Sequence, residues 1–296
     1  MRVFLTGATG FIGTAVIPEL IQAGHQVLGL ARSEAGAKSL VAMGAKVQRG
    51  DLEDLESLRS GAAAADAVIH CAFIHDFTKY HENCEIDRHA IETLGSVLQG
   101  TDRPLIVTSG TAVLTPGRIA TEEDPGIPSS VMPRGATEEA AASVAARGVR
   151  VSVVRLPQVH DRNKQGLVTL AIALAREKGV SAYVGDGANR WPASHRLDTA
   201  RLYRLVLEKG SPGARYHAVA EEGVRVRDIA EVIGRRLNIP VVAKSSEEAA
   251  AHFGWLGIFA GLDCPASSTL TQERLGWRPV ETTMLSDLER ASNLEP

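Results

Sequence analysis

The sequence predicts an α/β chain, a doubly wound parallel sheet with a smaller C-terminal lobe. Three observations point there. Short β-compatible apolar runs alternate with helical patterns through the first half of the chain. The first such run, Arg2 to Leu5, leads straight into Gly7, Gly10 and Gly13 and then into helix-spaced apolar residues from Ile12 to Ile21. Past Pro157 the alternation loosens. Alternating strands and helices joined by short turns are the pattern of a parallel sheet covered on both faces.

The elements follow in order. Gly24 reads as the cap of the first helix, and "HQVLGLARS" as a second strand ending at Arg32 and Ser33. "EAGAKSLVAM" is helical and stops at Gly44, and "AKVQRGDLED" holds a third strand before Asp51. "ADAVIHCAF" predicts a fourth strand, Tyr80 to Leu98 a long helix, and "RPLIVTSGT" a fifth strand. Ala136 to Ala146 is an alanine-rich helix, and "VRVSVVRLP" a sixth strand closed by Pro157. Beyond it, Leu167 to Lys178 is helical, "SAYVGDGANRWPASHRLDTA" mixes a strand with a loop, "RYHAVA" is a short strand, and "VRVRDIAEVIGRRLN" is an amphipathic helix. Residues 1–160 therefore read as one domain and 161–296 as a lobe intercalated with the last strands. The loop 114–135, rich in proline and glycine, has the length of a lid or a substrate-side wall.

The three glycines stand at a strand-to-helix corner, where the backbone turns tightly and a helix begins with unpaired N–H groups. Such a corner suits a phosphate, although an ordinary turn of small residues has the same look. Its place after the first strand of an alternating series sharpens the reading to a dinucleotide, bound across the C-terminal ends of the strands in a Rossmann-type fold.

Composition narrows the rest. The chain has 296 residues and a formal net charge of −3, with lysine and arginine spread along it, so no basic footprint for nucleic acid is present. Cys71, Cys84 and Cys264 form no CxxC pair, and their odd number argues against a disulfide framework. With no apolar run of membrane-spanning length and a first strand where a signal peptide would stand, the expected compartment is the cytoplasm. His81 and His89, or His70 and His75, lack the spacing of a compact metal site. The stretch "HFGWLGIFAGL" (252–262) reads as core or as the face of a homodimer.

The chain resembles the extended short-chain dehydrogenase/reductase superfamily, including its nucleotide-sugar epimerase and 3β-hydroxysteroid dehydrogenase-like branches. The resemblance rests on "TGATGFIG", "RGDLED", "VIHCAF", "LIVTSGTAVL", "VVRLPQV", "VGDGANRWPASHRLDTA" and "LGWRP". It implies that Gly7, Gly10, Phe11 and Ile12 cradle a pyrophosphate, and that Asp51 and Leu52 flank the adenine. It places Cys71, Ala72 and Phe73 under the ribose and nicotinamide, with Pro157 and Val159 beside the nicotinamide ring. Asp51 equally suits a helix N-cap. At the end of strand two, Arg32 and Ser33 offer a cation and a hydroxyl where an acidic residue would repel a 2′-phosphate, which favours NADP(H) over NAD(H). A solvated surface arginine is the plain alternative.

The superfamily's tyrosine and lysine are missing from their expected places. Arg134 stands where the tyrosine belongs and Glu138 where the lysine belongs, and none of the four tyrosines begins a Tyr-x-x-x-Lys pattern. An arginine does not release its proton near neutral pH, so Arg134 is no substitute acid. Gly110 replaces the accompanying hydroxyl, with Ser109 and Thr111 on either side. His75 paired with Asp76 is the candidate general acid, Thr111 a candidate for orienting a carbonyl, and His160 a weaker choice. Asn189, Arg190, Trp191 and His195 lie where relatives hold substrate, although a packed tryptophan is as natural. The expected activity is an NADP(H)-dependent oxidoreductase acting on a small carbonyl or hydroxyl compound. A non-catalytic NADP(H)-binding sensor is the alternative.

Overall fold

The computed structural model describes residues 1–294. Its core is a seven-stranded sheet in the order β10-β6-β5-β4-β1-β2-β3, with every pairing parallel. The strands are β1 (Arg2–Thr6), β2 (Gln26–Ala31), β3 (Lys46–Arg49), β4 (Ala67–His70), β5 (Pro104–Gly110), β6 (Arg150–Leu156) and, much later in the chain, β10 (Arg215–His217). Helices α1 (Gly13–Gln22) and α2 (Glu34–Ala42) cover one face, while α3 (Leu55–Ala63), α4 (Tyr80–Leu98) and α5 (Ala136–Ala146) cover the other.

The period of two along β1 shows why both faces need helices. Val3 and Leu5 pack into one apolar cluster, and Phe4 between them packs into the other. All three are fully buried. The first five strands and helices α1, α2 and α4 lie where the sequence predicts, because continuous apolar runs have no other stable home than a doubly covered sheet, whereas α3 has no place in the sequence reading. The chain runs outward from β1 to β3, then returns to build β4, β5 and β6 on the other side. The crevice between β1 and β4 is thus the switch point at which ligands bind in open α/β sheets.

The remaining chain contributes β7 (Gln158–His160), α6 (Val168–Lys178), β8 (Ser181–Val184), β9 (Arg190–His195), α7 (Arg196–Lys209), β11 (Glu221–Arg225), α8 (Val226–Leu237) and β12 (Val241–Lys244). Four short helices follow: α9 (Ser246–Phe253), α10 (Gly257–Ala260), α11 (Thr269–Leu275) and α12 (Met284–Glu289). Strands β11, β9 and β7 form a small sheet, and β12 pairs with β8. A separate apolar cluster holds this lobe together.

Helix α7 begins inside the stretch 181–200, which the sequence reads as a strand and a loop. Arginines and acids alternate with its buried apolar face, which is made of Ala200, Leu202, Tyr203, Val206 and Leu207. That face belongs to the core of the large sheet rather than to the lobe. Arg204 Nε donates to Glu19 Oε1 of α1 at 2.7 Å. Trp277, from "LGWRP", joins the same core and donates its indole N–H to the Asp198 carbonyl at 3.0 Å.

The long loop 114–135 is pinned rather than free to swing. Gly117 N and Ala120 N donate to the carbonyls of Asp263 and Pro265, at 2.8 and 2.9 Å. Buried Glu122 accepts from the amide and hydroxyl of Thr271, both at 2.6 Å. Among the described residues no helix is long and apolar enough to cross a membrane.

Candidate functional site

The glycine corner is pressed against the end of β4. Gly7 has φ +67°, and a Cβ there would lie 2.7 Å from the amide nitrogen of Ala72. Only glycine allows both that conformation and that approach. Gly10 is different, because a Cβ would approach only the Gly7 carbonyl oxygen, at 3.1 Å, and otherwise project into open space. The N–H groups of Phe11 and Ile12, just before α1, have no acceptor among the described residues. Open donors at a helix N-terminus beside the switch point fit a phosphate.

Two cations from the far half of the chain stand over this corner, and the sequence assigned a role to neither, although Arg196 lies within the quoted stretch "VGDGANRWPASHRLDTA". The guanidinium of Arg196 lies 4.7 Å from the centre of the Phe11 ring and donates to Thr14 Oγ1 and Asp161 Oδ2, each at 3.0 Å. Its buried Nε has no acceptor among the described residues. Lys164 Nζ lies 5.7 Å from the same ring centre.

At the end of β2, Arg32 is exposed, with no hydrogen-bond or ion-pair partner among the described residues. Ser33 caps α2, its Oγ accepting from Gly36 N at 3.1 Å, and its own hydroxyl proton remains available. Asp51 does not cap α3 as the sequence suggested. Asp54 does, accepting from Ser57 N, while Asp51 Oδ1 accepts from the amides of Glu53 and Asp54 and shapes the turn before the helix. Leu52 is buried in the apolar cluster beneath that turn.

Past β4, Ala72 N donates to Thr6 Oγ1 at 3.3 Å, and Thr6 bonds His70 Nδ1 at 2.9 Å, the two residues being in register across β1 and β4. His70 Nε2 then lies 3.0 Å from Asp87 Oδ1 on α4. Asp87 also accepts from Arg134 and from Thr137, both at 2.6 Å. Burial alone would raise the Asp87 pKa, but the Arg134 charge and the His70 hydrogen bond outweigh it and hold it at about 2. Four residues on, Glu138 makes a two-pronged pair with fully buried Arg155, both bonds at 2.7 Å. Positions 134 and 138 are thus each one half of a buried ion pair. Asp87 and Arg155 escaped sequence reading because their partners lie 47 and 17 residues away.

His75 and Asp76 do not pair, which corrects the sequence expectation. The Asp76 carboxylate accepts from the amide and hydroxyl of Thr78, at 3.0 and 2.6 Å. His75 Nδ1 meets the Phe73 carbonyl at 3.0 Å, so that nitrogen carries a proton and Nε2 is left outward as an acceptor in the neutral ring. Crowding by the Phe73 and Phe77 rings lowers the His75 pKa, and the charges of Arg134 and Lys164 push it the same way. Thr111 is buried, its hydroxyl donating to the Leu156 carbonyl at 3.4 Å. Cys71 is half-buried, its thiol pushed up to about 11 by burial, which keeps it protonated. Pro157 links β6 to β7, and Val159 is buried within β7.

In the lobe, Asn189 donates to the carbonyls of Ala260 and Leu262, at 3.0 and 3.1 Å. Arg190 grips Asp263, and Trp191 is only 4% exposed within the lobe core. His160 is fully enclosed, with Nδ1 2.9 Å from Asp287 Oδ2 and Nε2 3.9 Å from Glu221 Oε2, the latter nitrogen without a hydrogen-bond acceptor or donor among the described residues. His195 caps α7, accepting from Leu197 N. The stretch 252–262 is largely core, and Trp255 stacks on Phe77 with ring centres 4.3 Å apart, joining the lobe to the loop that carries Phe73 and His75.

A parallel sheet with open backbone donors at its switch point is the architecture of nucleotide-binding α/β proteins of the dehydrogenase type. The chain belongs to the NAD dependent epimerase/dehydratase family, whose model matches residues 3–219, and the resemblance to the extended short-chain dehydrogenase/reductase superfamily is borne out. It is 50% identical to the uncharacterized protein C2A9.02 of Schizosaccharomyces pombe, over 97% of this chain and 98% of that one. It is 27% identical to a decarboxylating sterol-4-alpha-carboxylate 3-dehydrogenase of Dictyostelium discoideum, over 76% of this chain and 73% of that one. Among solved structures, DesIV (dTDP-glucose 4,6-dehydratase) from Streptomyces venezuelae, with NAD and TYD bound, superposes with a TM-score of 0.78. The identity there is 21%, over 99% of this chain and 96% of that one, a likeness of fold alone.

Proposed function

We propose that the chain is an NADP(H)-dependent oxidoreductase acting on a small carbonyl or hydroxyl compound, with residues 1–160 forming the cofactor domain, Lys164 and Arg196 reaching over it, and the lobe within 161–296 enclosing the substrate. The observation that carries this reading is the open cradle: free N–H groups at Phe11 and Ile12, space in front of Gly10, and the cations of Arg196 and Lys164 above. Relatives named as a dehydrogenase and a reductase support the redox part. When bound, the nicotinamide supplies or takes up the hydride. Arg32, free of carboxylate partners, and the Ser33 hydroxyl would receive the 2′-phosphate. Gly7 lets the corner meet Ala72, and Cys71, Ala72 and Phe73 would line the floor beneath the ribose and nicotinamide. Neutral His75 accepts a proton through Nε2, which suits alcohol oxidation near neutral pH, and donates one only after protonation at lower pH.

A second reading, a nucleotide sensor without turnover, is favoured by one observation: Arg134 and Glu138 are both consumed in buried ion pairs. Incubating the protein with NADPH and a broad panel of carbonyl compounds while following nicotinamide absorbance separates the two. Tight binding without any oxidation selects the sensor. For the cofactor itself, calorimetry should show tighter binding of NADPH than NADH. Arg32→Asp should narrow or reverse the difference, at a cost on the order of 1.5–3 kcal/mol. Equal affinities in the unmodified protein would refute the NADP(H) assignment.

A further inference from the structure

Arg134 is held in place from three sides. Nη1 donates to Asp87 Oδ2 and Thr137 Oγ1, each at 2.6 Å, and Nη2 donates to the Thr108 carbonyl at 3.0 Å. One flat face lies on the Phe73 ring, 3.9 Å from its centre. A guanidinium has five N–H donors. These three bonds leave Nε–H and one Nη2–H without an acceptor among the described residues. The side chain is 12% exposed, so the group is fixed but reachable.

Its position is that of a ligand-facing group. Thr108 is near the C-terminal end of β5, and Phe73 follows β4, whose end meets the glycine corner. The guanidinium therefore stands over the C-terminal edge of the sheet, beside the switch-point crevice. His75 feels both Arg134 and Lys164, and no carboxylate is among the groups acting on it. Asp87 balances Arg134 from beneath, whereas Lys164 has no acidic partner among the described residues.

We propose that Arg134 is the substrate's anion receptor, its free Nε–H and Nη2–H taking a carboxylate of a small carbonyl or hydroxyl compound. The substrate class is thus an oxo or hydroxy acid. Planar N–H donors match a carboxylate in a way no lysine does. Asp87, Thr137 and the Thr108 carbonyl set the plane, and Phe73 stops it from turning. The assignment rests on the oxidoreductase reading above, and it gives position 134 a binding role where proton transfer is closed to it.

The test is binding of a panel of small oxo carboxylates and the neutral amide of each to the protein loaded with NADPH, read by nucleotide fluorescence and by calorimetry. At least one acid should bind on the order of 10- to 100-fold more tightly than its amide. Arg134→Lys should lose most of that margin while NADPH affinity stays unchanged. In a folded Arg134→Gln/Asp87→Asn double variant, which leaves no buried charge unpaired, the margin should vanish. Acids and amides binding alike, or no acid binding to the loaded protein, overturns the proposal. So does a loss of NADPH affinity in Arg134→Lys, which would assign the free donors to the nucleotide. Failure of the unmodified protein to bind NADPH at all overturns the underlying oxidoreductase reading instead.

Discussion

Gly7 and Gly10 stand three residues apart and answer to different constraints. Gly7 has a positive φ and backbone of β4's end within contact of its missing side chain, whereas a Cβ on Gly10 would meet only the Gly7 carbonyl, at 3.1 Å. Gly7→Ala should therefore lower the melting temperature, with a destabilisation on the order of 1–3 kcal/mol from strain and overlap. Gly10→Val should leave the melting temperature nearly unchanged and abolish dinucleotide binding, its methyls filling the space a phosphate needs. A Gly10→Val protein that binds NADPH normally would reduce the motif to a turn. His75 yields a second prediction, with a sign. Its folded pKa lies below the ordinary imidazole value, so alcohol oxidation should rise with pH through that ionisation and level off by neutrality. Carbonyl reduction should show the reverse, falling as pH rises through the same range. In His75→Ala this ionisation should disappear from the pH–rate profile and turnover should fall roughly a hundredfold. An unchanged profile would remove His75 from the chemistry.

Among the elements, α7 and the turn after β7 most change the view of the site. Arg196 begins the helix, Lys164 closes the turn, and both reach Phe11 across a sequence distance of more than 150 residues. They bring positive charge to the α1 N-terminus, where the open N–H groups of Phe11 and Ile12 already favour an anion. Lys164→Ala should weaken NADPH by roughly 3- to 10-fold and reduce the salt dependence of binding. Adenosine, which carries no phosphate, should bind the variant and the unmodified protein alike. If adenosine weakens as much as NADPH, the lysine acts through the shape of the corner and not through charge.

Across the whole molecule, buried polar pairs tie the two halves together and set a pH limit on stability. His217 of β10 bonds the Ser267 carbonyl through Nδ1 at 2.7 Å and meets Arg155 Nη1 through Nε2 at 3.2 Å. A carbonyl accepts and an arginine donates, so only the neutral ring satisfies both. Burial lowers its pKa to about 4. The unfolded chain binds a proton near pH 6.5 that the folded chain refuses, so this stabilisation is full above that pH and is lost as pH falls towards 4. Asp87, held at about 2, adds a loss in the same direction at still lower pH. Thermal melts should therefore fall steadily between pH 7 and pH 5, and His217→Gln should flatten that slope. A melting temperature constant over this range would show that His217 protonates freely in the folded state.

Short-range pattern carries the part of this protein that is legible along the chain. Apolar runs and glycine punctuation specified the alternating strands and helices of the large sheet, the corner at Gly7, Gly10 and Gly13, and the ordinary extent of α4 and α5. Those features depend on neighbours within a few residues, so they are legible along a line. The tertiary structure alone decided the partners of the polar groups. It seated α7 on the large sheet rather than in the lobe, and exchanged the supposed Asp51 cap for Asp54. It parted His75 from Asp76, and gathered Arg134, Asp87, His70 and Thr6 into one buried chain. A buried charge must find a counter-charge or hydrogen-bonding groups wherever the fold provides them, and that partner's place in the sequence is set by topology, not by spacing.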